Sequence, residues 1–344
     1  MKKQIKVGNL TFGQGKIYIQ SMLNARSDDF EGNIAQAKAL QAAGCDIIRV
    51  AVPDARTVPL IAELKKAVDC PIVADIHFDY RLALASIDAG VDKLRINPGN
   101  IGSAERVKAL ADKAKEHGVP IRIGVNSGSL QKEILAKYGS PTAEALAESA
   151  LTHAALLEEC DFSDIVISIK SSDVATMVKA NRIVAAQSDY PLHLGVTEAG
   201  TPKAGTLKSA IGIGSLLLDG IGDTIRVSLT GDVLEEVAAA RSILSAVGLM
   251  PDAPRLVSCP TCGRTKIDVI SLAKRVEEAL ADVRKPITVA VMGCVVNGPG
   301  EARGADIGIA GGDGEAVLFK KGEIVRKISE SELFDVLMKE INEF

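Results

Sequence analysis

The sequence predicts an α/β chain in which an N-terminal (β/α)8 TIM-type barrel is followed by a small α+β domain. Three observations support this prediction. Short apolar runs alternate with helix-like stretches, the alternation occurs eight times, and it fits within roughly 250 residues, the usual size of such a barrel. The pattern then stops at a Met-Pro-Asp-Ala-Pro run, which is typical of a linker. We therefore divide the chain into a barrel at 1–250 and a second domain at 251–344.

The predicted strands of the barrel are apolar, β-rich runs. They cover residues 17–22, 45–52, 71–78, 93–98, 120–125, 164–169, 192–196 and 224–229. The helices between them cover residues 31–43, 57–68, 80–89, 103–117, 142–159, 174–187, 204–219 and 232–247. Ser103 as an N-cap, and Gly44, Gly90 and Gly118 just after helices, fit these boundaries. An open doubly wound sheet is the structural alternative. The count of eight and the lack of a G-x-G-x-x-G turn after the first strand disfavour it.

The second domain has a different pattern. Its predicted elements are a helix at 266–282, strands at 287–292, 305–310, 316–319 and 323–328, and a helix at 330–341. Gly-Gly-Asp-Gly and Lys-Gly sequences provide the turns between its later strands. Strands followed by a terminal helix, without the regular alternation of the barrel, indicate an α+β domain.

Composition excludes several classes of function. Hydrophobic residues make up 47% and charged residues 24% of the chain, as in ordinary globular proteins. The net charge of -4 argues against a general nucleic-acid or membrane-surface binder, and the absence of Trp argues against stacking on single strands. We find no signal peptide and no apolar run of spanning length. Six cysteines in 344 residues are not a disulfide scaffold, so we expect a cytoplasmic protein.

Three cysteines and a carboxylate on two tight loops predict a metal or cluster site. Cys259 and Cys262 form a C-x-x-C pair, and Cys294 and Glu301 flank a Val-Val-Asn-Gly-Pro-Gly sequence. A turn between two cysteines points both sulfurs at one metal centre. No histidine follows His193, which excludes a Cys3His zinc site in this part. An iron–sulfur cluster, a differently ligated zinc ion and a thiol redox pair stay open. Soft thiolates beside one open or oxygen-ligated position favour the cluster.

Five predicted strands carry one cation each near their carboxyl ends. These cations are Arg49, Arg95, Arg122, Lys170 and Arg226. Active sites of (β/α)8 barrels lie at this end of the strands. A single arginine there is simply explained by an ion pair with a carboxylate such as Asp75. Five cations at the same stage of successive strands instead predict an anionic ligand, because Arg forks fit phosphate oxygens. Asn97, Asn126 and Ser228 add neutral donors, and the set would fit a small doubly phosphorylated substrate.

Glu198 is a candidate acid or base, because it follows the seventh strand in Gly-Val-Thr-Glu-Ala-Gly. An exposed loop carboxylate is the simpler interpretation, since surface Glu is common. Asp75 and His77, after the third strand, could also titrate in the mouth of the barrel. Each of these two is more often a structural hydrogen-bonding residue.

Several motifs together resemble the 4-hydroxy-3-methylbut-2-en-1-yl diphosphate synthase family in its short bacterial form. The matching segments are 20–22, 43–50, 74–78, 95–100, 195–200, 259–265 and 292–302. The resemblance covers nearly the whole chain, and its last two motifs are highly specific. One departure is local: Leu-Asn-Ala-Arg-Ser-Asp-Asp follows Met22, where the family usually has Thr-Asn-Thr.

The resemblance implies an enzyme of isoprenoid precursor biosynthesis. Its substrate would be 2-C-methyl-D-erythritol 2,4-cyclodiphosphate, whose ring is opened and dehydroxylated in a two-electron reduction. Flavodoxin or ferredoxin would supply the electrons through a [4Fe-4S] cluster. The implied cluster ligands are Cys259, Cys262, Cys294 and Glu301.

The resemblance also implies roles for other residues. The implied diphosphate-binding residues are Arg49, Arg95, Asn97, Arg122, Asn126, Lys170, Arg226 and Ser228. Glu198 would donate or shuttle a proton, and Asn297 would lie beside the cluster. The family is a homodimer in which the cluster domain of one chain covers the barrel mouth of the other, so the resemblance implies that arrangement here.

Two other functions compete with this interpretation. One is a zinc-dependent barrel enzyme acting on a sugar phosphate, with the metal on Cys259, Cys262 and Cys294. The other is a redox sensor, but the sequence shows no basic or helical DNA-reading element. A sensor would also have no use for five cations at the barrel mouth.

Overall fold

The computed structural model describes residues 2–281, 283–295 and 302–344. The chain divides into two compact units, Met1–Leu249 and Met250–Phe344. The first unit is a barrel of eight parallel strands, so the predicted (β/α)8 fold is confirmed. Among the helices of the described segments, none has the length and apolar character needed to cross a lipid bilayer.

The first unit begins with a hairpin and continues with the barrel strands. The hairpin strands are β1 (Ile5–Val7) and β2 (Leu10–Phe12). The barrel strands are β3 (Tyr18–Met22), β4 (Ile47–Ala51), β5 (Ile72–Asp75), β6 (Lys93–Ile96), β7 (Ile121–Asn126), β8 (Ile165–Lys170), β9 (His193–Leu194) and β10 (Thr224–Ile225). Each pairs with its neighbour in parallel from β8 round to β9. A bridge between Ile167 and Leu192 brings the two ends together.

Helices cover the outside of this barrel. They are α1 (Phe30–Ala42), α2 (Val58–Ala67), α3 (Tyr80–Asp88), α4 (Pro98–Ile101), α5 (Ala104–His117), α6 (Lys132–Tyr138), α7 (Ala143–Glu158), α8 (Val174–Gln187), α9 (Pro202–Leu218) and α10 (Val233–Ala246). Asp29, Asp79, Asp173 and Asp232 each accept a backbone N–H at a helix start. These aspartates fix where four helices begin, because they satisfy donors that lack a partner within the helix.

Three details of the predicted barrel elements are wrong. The hairpin was missed, although Gly8 and Asn9 between two apolar runs are a hairpin signal. The short helices α4 and α6 lie where we expected a strand end and a loop. The last two strands pair over only two residues each, because the chain beyond them turns into the loops at the barrel mouth.

The hairpin closes the amino-terminal end of the barrel. Its side chains Ile5, Val7 and Phe12 pack against inward-facing residues of β3, β4, β5 and β8 in one buried cluster. The other members of that cluster are Tyr18, Ile47, Val73 and Val166. An apolar floor therefore closes one end, and the polar interior of the barrel opens only at the carboxyl ends of the strands.

The second unit is a five-stranded mixed sheet with helices against it. Its elements are β11 (Arg255–Ser258), α11 (Val269–Leu280), β12 (Thr288–Met292), β13 (Ile307–Gly311), β14 (Glu315–Lys320), β15 (Glu323–Ser329) and α12 (Leu333–Glu343). Strands β11, β12 and β13 are parallel, and β14 and β15 are antiparallel. Val269, Leu272 and Val276 of α11 recur at helical spacing and bury one face against the sheet. Strand β11 was not predicted.

Candidate active site

The five cations of the strand ends converge on one cavity. This cavity has a volume of about 100 Å³. It is lined by Arg49, Arg95, Arg122, Gly124, Asn126, Ser168, Lys170, Thr197, Arg226 and Ser228. Seven of the eight predicted substrate-binding residues therefore line the same space. The eighth, Asn97, is buried just after β6, and its Oδ1 has no hydrogen-bond partner in the described part of the chain.

Strand alternation explains why these side chains meet. Residues two apart on a strand face the same side, so Arg122, Gly124 and Asn126 of β7 all point into the barrel. The register places Arg95 beside Arg122, and Asn126 beside Lys170. The parallel pairing thus brings cations from neighbouring strands to the same level.

Two glycines make room for these cations. A Cβ on Gly124 would lie 2.5 Å from Nε of Arg95, and one on Gly195 would lie 2.8 Å from Nζ of Lys170. The Gly195 position would also bring a Cβ within 2.5 Å of the carbonyl oxygen of Arg226. A side chain at either position would require the neighbouring charged group, or at Gly195 the backbone of Arg226, to shift.

Asp75 holds two of the arginines. Its carboxylate accepts a hydrogen bond from Nη2 of Arg49 and another, at 3.1 Å, from Nη1 of Arg95. Burial by itself would raise the pKa of Asp75, but the charges of Arg49 and Arg95 outweigh it and lower the pKa to about 2. The simpler interpretation of these two arginines as members of structural ion pairs is therefore partly right. Asp75 keeps both guanidinium groups aimed into the barrel.

The cavity still has a surplus of positive charge. Glu236 of α10 lies 3.6 Å from Nε of Arg226 and is the second buried carboxylate beside the site. At their ordinary charges, the five cations exceed these two carboxylates by three. Burial lowers the pKa of both Arg122 and Lys170 well below their ordinary ranges, and neither forms an ion pair within the described segments. A polyanion is the ligand that such a set would bind.

The low pKa of Asp75 predicts an acid-dependent loss of stability. A carboxyl with a pKa of about 2, against an ordinary 3.8, contributes about 2 kcal/mol to the free energy of unfolding at neutral pH. This contribution is complete above about pH 4 and disappears as the pH falls through the folded pKa. We expect the stability difference between wild type and Asp75→Asn to shrink by about that amount between pH 5 and pH 2 in denaturant titrations. Asp112→Asn, at an exposed carboxylate, is the control, and a pH-independent difference would contradict the prediction.

Glu198 lies in the loop that follows β9. Its backbone has a φ of 51°, in the left-handed region that a non-glycine residue rarely adopts. The preceding Thr197 lines the cavity, whereas the Glu198 side chain is exposed. A strained carboxylate at the rim is placed where it could reach a ligand in the mouth. Its role as an acid or base stays a prediction.

The cysteine loops follow two adjacent strands of the second unit. Cys259 comes directly after β11, and Cys294 lies two residues after β12. These strands are parallel neighbours, so both loops leave the same edge of the sheet. The N–H of Gly293 donates a hydrogen bond of 3.1 Å to Sγ of Cys259. Cys262 is exposed on a turn in which Thr265 accepts its N–H.

These thiols have the chemistry of a cluster site. A backbone N–H directed at a cysteine sulfur stabilises the thiolate form that binds metal. Within residues 2–281, 283–295 and 302–344, no three His, Cys, Asp or Glu side chains are close enough together to hold a metal ion. Asn297 and Glu301, which we predicted beside this site, lie outside the described residues. Cys259, Cys262 and Cys294 match the predicted cluster ligands in residue type, and Cys259 and Cys294 follow neighbouring parallel strands. The cluster itself stays a prediction.

Four residues of the site were not predicted from the sequence. They are Gly124, Ser168 and Thr197, which line the cavity, and Glu236, which pairs with Arg226. Ser168 and Gly124 were detectable in principle, because each lies two residues before a predicted cavity residue on the same strand. Thr197 adjoins the predicted Glu198. Glu236 carries no such signal, because it reaches the site from a helix on the outside of the barrel.

Both units match family models of known proteins. The family model described as the GcpE TIM-barrel domain matches residues 2–241, and that described as the GcpE protein C-terminal domain matches residues 255–343. A relative from Clostridium perfringens is 58% identical over 338 residues, which cover 98% of this chain and 97% of the relative. Another, from Caldanaerobacter subterraneus subsp. tengcongensis, is 58% identical over 342 residues, covering 99% and 96%. Both are called 4-hydroxy-3-methylbut-2-en-1-yl diphosphate synthase (flavodoxin).

Solved structures of low sequence identity share the barrel. A dihydropteroate synthase from Stenotrophomonas maltophilia aligns with a TM-score of 0.53 at 14% identity, over 71% of this chain and 98% of the other. A 3-dehydroquinate dehydratase from Geobacillus kaustophilus aligns with a TM-score of 0.52 at 16% identity, over 72% and 100%. Likenesses at this level of identity show the fold alone.

Proposed function

Because this chain belongs to the GcpE family, whose curated relatives are 4-hydroxy-3-methylbut-2-en-1-yl diphosphate synthases, we propose that it catalyses that reaction. It converts 2-C-methyl-D-erythritol 2,4-cyclodiphosphate to (E)-4-hydroxy-3-methylbut-2-enyl diphosphate in isoprenoid precursor biosynthesis. The reaction consumes two electrons and two protons, opens the ring and releases one water. The observation that carries the proposal is the cavity that five cations line, beside which the described residues place two carboxylates.

The cations bind and orient the diphosphate in this proposal. Arg122 and Lys170 have no carboxylate partner among the described residues and meet the phosphate oxygens directly. Arg49 and Arg95 are aimed by Asp75, and Arg226 by Glu236. Because the donors are already oriented, little reorganisation opposes binding. Asn97, Asn126 and Ser228 add neutral hydrogen bonds.

A [4Fe-4S] cluster is the cofactor of this proposal. Cys259, Cys262 and Cys294 would hold it, with Glu301 as the fourth ligand and Asn297 beside it. When bound, the cluster would pass the two electrons of the reduction from the donor protein to the substrate, one at a time. The Gly293 N–H, which donates a hydrogen bond to the Cys259 sulfur, would orient that ligand, and the exposed Cys262 would provide a second thiolate from the following turn. Glu198 at the mouth donates or shuttles the proton that accompanies loss of the hydroxyl.

The proposal includes partners and a location. The donor named for the relatives is flavodoxin, and we take it as the donor here, with ferredoxin as the alternative. The chain forms a homodimer in which the cluster domain of one chain covers the barrel mouth of its partner, which keeps water from the reactive intermediates. None of the six cysteines, all within the described segments, forms a disulfide. This supports a reducing, cytoplasmic environment.

Metal analysis and turnover of protein purified without oxygen test the proposal. We expect about four irons and four sulfides per chain, an EPR signal that the cyclodiphosphate perturbs, and product formation with reduced flavodoxin. Stoichiometric zinc without iron would instead support a zinc-dependent barrel enzyme acting on a sugar phosphate. Iron without conversion of the cyclodiphosphate would reject the proposed substrate.

A further inference from the structure

A second set of polar groups lies deeper in the barrel than the cation cavity. Lys93 opens β6, is 0% exposed, and its Nζ lies 4.7 Å from the centroid of the Phe12 ring in the hairpin floor. Across the described segments this Nζ has neither a hydrogen-bond acceptor nor a carboxylate partner. The side-chain amide of Gln20 and Nε2 of His193 are likewise buried without partners among those residues. The mechanism proposed above uses none of these groups.

The surroundings of Lys93 are mostly cationic. Val73 lies beside it in register on β5, and Arg95 lies two residues further along its own strand, on the same side. The charged or titratable groups that face the interior from the surrounding strands are Tyr18 (β3), Arg49 (β4), Asp75 (β5), Arg122 (β7), Lys170 (β8), His193 (β9) and Arg226 (after β10). Asp75 is the carboxylate among these strand residues, and Glu236 of α10 is the second carboxylate beside the cavity; Asp75 already pairs with two arginines and Glu236 with Arg226. A hydrogen bond of 2.8 Å joins Nδ1 of His193 and Oγ1 of Thr224.

This environment opposes a charge on Lys93. Burial, followed by the charges of Arg122 and Arg49, lowers the pKa of Lys93 well below its ordinary value. A buried ammonium without an acceptor is costly, so the amine loses its proton instead. Arg122 and Arg49 both line the cavity assigned to the diphosphate. An anion bound there offsets the two arginine charges that add to burial in disfavouring a proton on Lys93.

We propose that Lys93 is a proton-linked part of the substrate site, neutral while the cavity is empty and protonated once a diphosphate contacts Arg49 and Arg122. Binding then takes one proton from solvent onto Nζ, and no other bond forms or breaks. The deep amine adds its charge only when an anion is present to compensate it. This inference rests on the proposed function for the identity of the ligand. Since a proton is taken up, affinity for the diphosphate increases as the pH is lowered.

Calorimetry in buffers of different ionisation enthalpy measures this proton directly. The cyclodiphosphate is titrated into oxidised holoenzyme, without an electron donor, so that it binds but does not react. Each phosphorus of this ligand carries one strongly acidic hydroxyl, so the ligand itself takes up no proton near neutral pH. We expect about one proton taken up by wild type and close to none by Lys93→Met, from the linkage between proton binding and ligand binding. Methionine keeps an apolar stem against Phe12.

Two further variants complete the test. Lys108→Met, at an exposed position on α5, should retain the wild-type uptake. Lys93→Gln provides a second neutral side chain if Lys93→Met does not fold. Unchanged uptake in either Lys93 variant would assign the proton to another group, such as Lys170, and overturn the inference.

Titration of the wild-type protein distinguishes failure of the Lys93 inference from failure of the proposed function. Binding of the cyclodiphosphate without proton uptake would reject the role of Lys93 and leave the proposed function intact. No binding of the cyclodiphosphate by cluster-loaded enzyme would reject both.

Discussion

Replacing Arg122 with methionine will lower kcat/KM by about a hundredfold to a thousandfold, the range seen when one preorganised donor is removed. The side chain is 1% exposed and lines the cation cavity. No carboxylate pairs with it in the described part of the chain. Its charge is therefore compensated only when the diphosphate is bound.

The same variant should fold at least as well as wild type. Nε and Nη2 of Arg122 are buried without partners among the described residues, and replacing an uncompensated buried charge by an apolar side chain is often neutral or stabilising. Thermal unfolding and steady-state kinetics on one preparation give the two readouts. Arg106→Met, at an exposed position on α5, is the matched control and should change neither. Wild-type kcat/KM in Arg122→Met would remove this arginine from the site, and a large loss of stability would assign it a structural role.

Replacing Cys262 with alanine will abolish turnover and reduce cluster iron. Cys262 is exposed, so its loss should not disturb packing, and any effect reports on its role as a ligand. We expect iron to fall from about four per chain to below one. Thiolates hold a cubane cluster, and the variant would keep only two of the three cysteines of the two loops. The far-UV circular dichroism spectrum, which reports the backbone structure, should remain that of wild type.

Cys160→Ala is the control for this experiment. Cys160 lies at the end of α7 in the barrel unit, outside the cysteine loops. Its replacement should leave both iron content and turnover unchanged. If Cys262→Ala kept its full iron content and activity, the C-x-x-C pair would not be a ligand pair. If it lost zinc instead of iron, the zinc-dependent alternative would be favoured.

Much of the barrel followed from local pattern. The apolar runs and helix-like stretches recur eight times because each β-α unit buries its strand and one face of its helix. This pattern is independent of what the residues contact later. The missed hairpin, α4 and α6 are all short, and short elements carry too few residues to show a period. The cysteine loops were predicted as a metal or cluster site because two cysteines at C-x-x-C spacing are close along the chain, and their role as ligands stays a prediction.

The cations of the candidate cavity could also be predicted from a repeating pattern along the chain. Arg49, Arg95, Arg122, Lys170 and Arg226 recur at one stage of successive strands, and parallel pairing must bring such positions to one end of the barrel. The pattern along the chain did not show which carboxylate pairs with which arginine. The sequence offered several carboxylates for the arginines, and the pairing of Asp75 with Arg49 and Arg95 appeared only with the register of β4, β5 and β6.

The fold class, the family and the residue types at the mouth of the barrel all follow from patterns along the chain. Which of the charges are compensated depends on tertiary packing. Glu236 reaches Arg226 from a helix, and Arg122 is left without a carboxylate in the described segments. Lys93 is buried over the Phe12 ring and within reach of the charges of Arg122 and Arg49. The physical reason is that strand periodicity depends on local spacing along the chain. The free energy of a buried charge depends instead on its distance to every neighbouring charge, and strand register and helix packing set those distances.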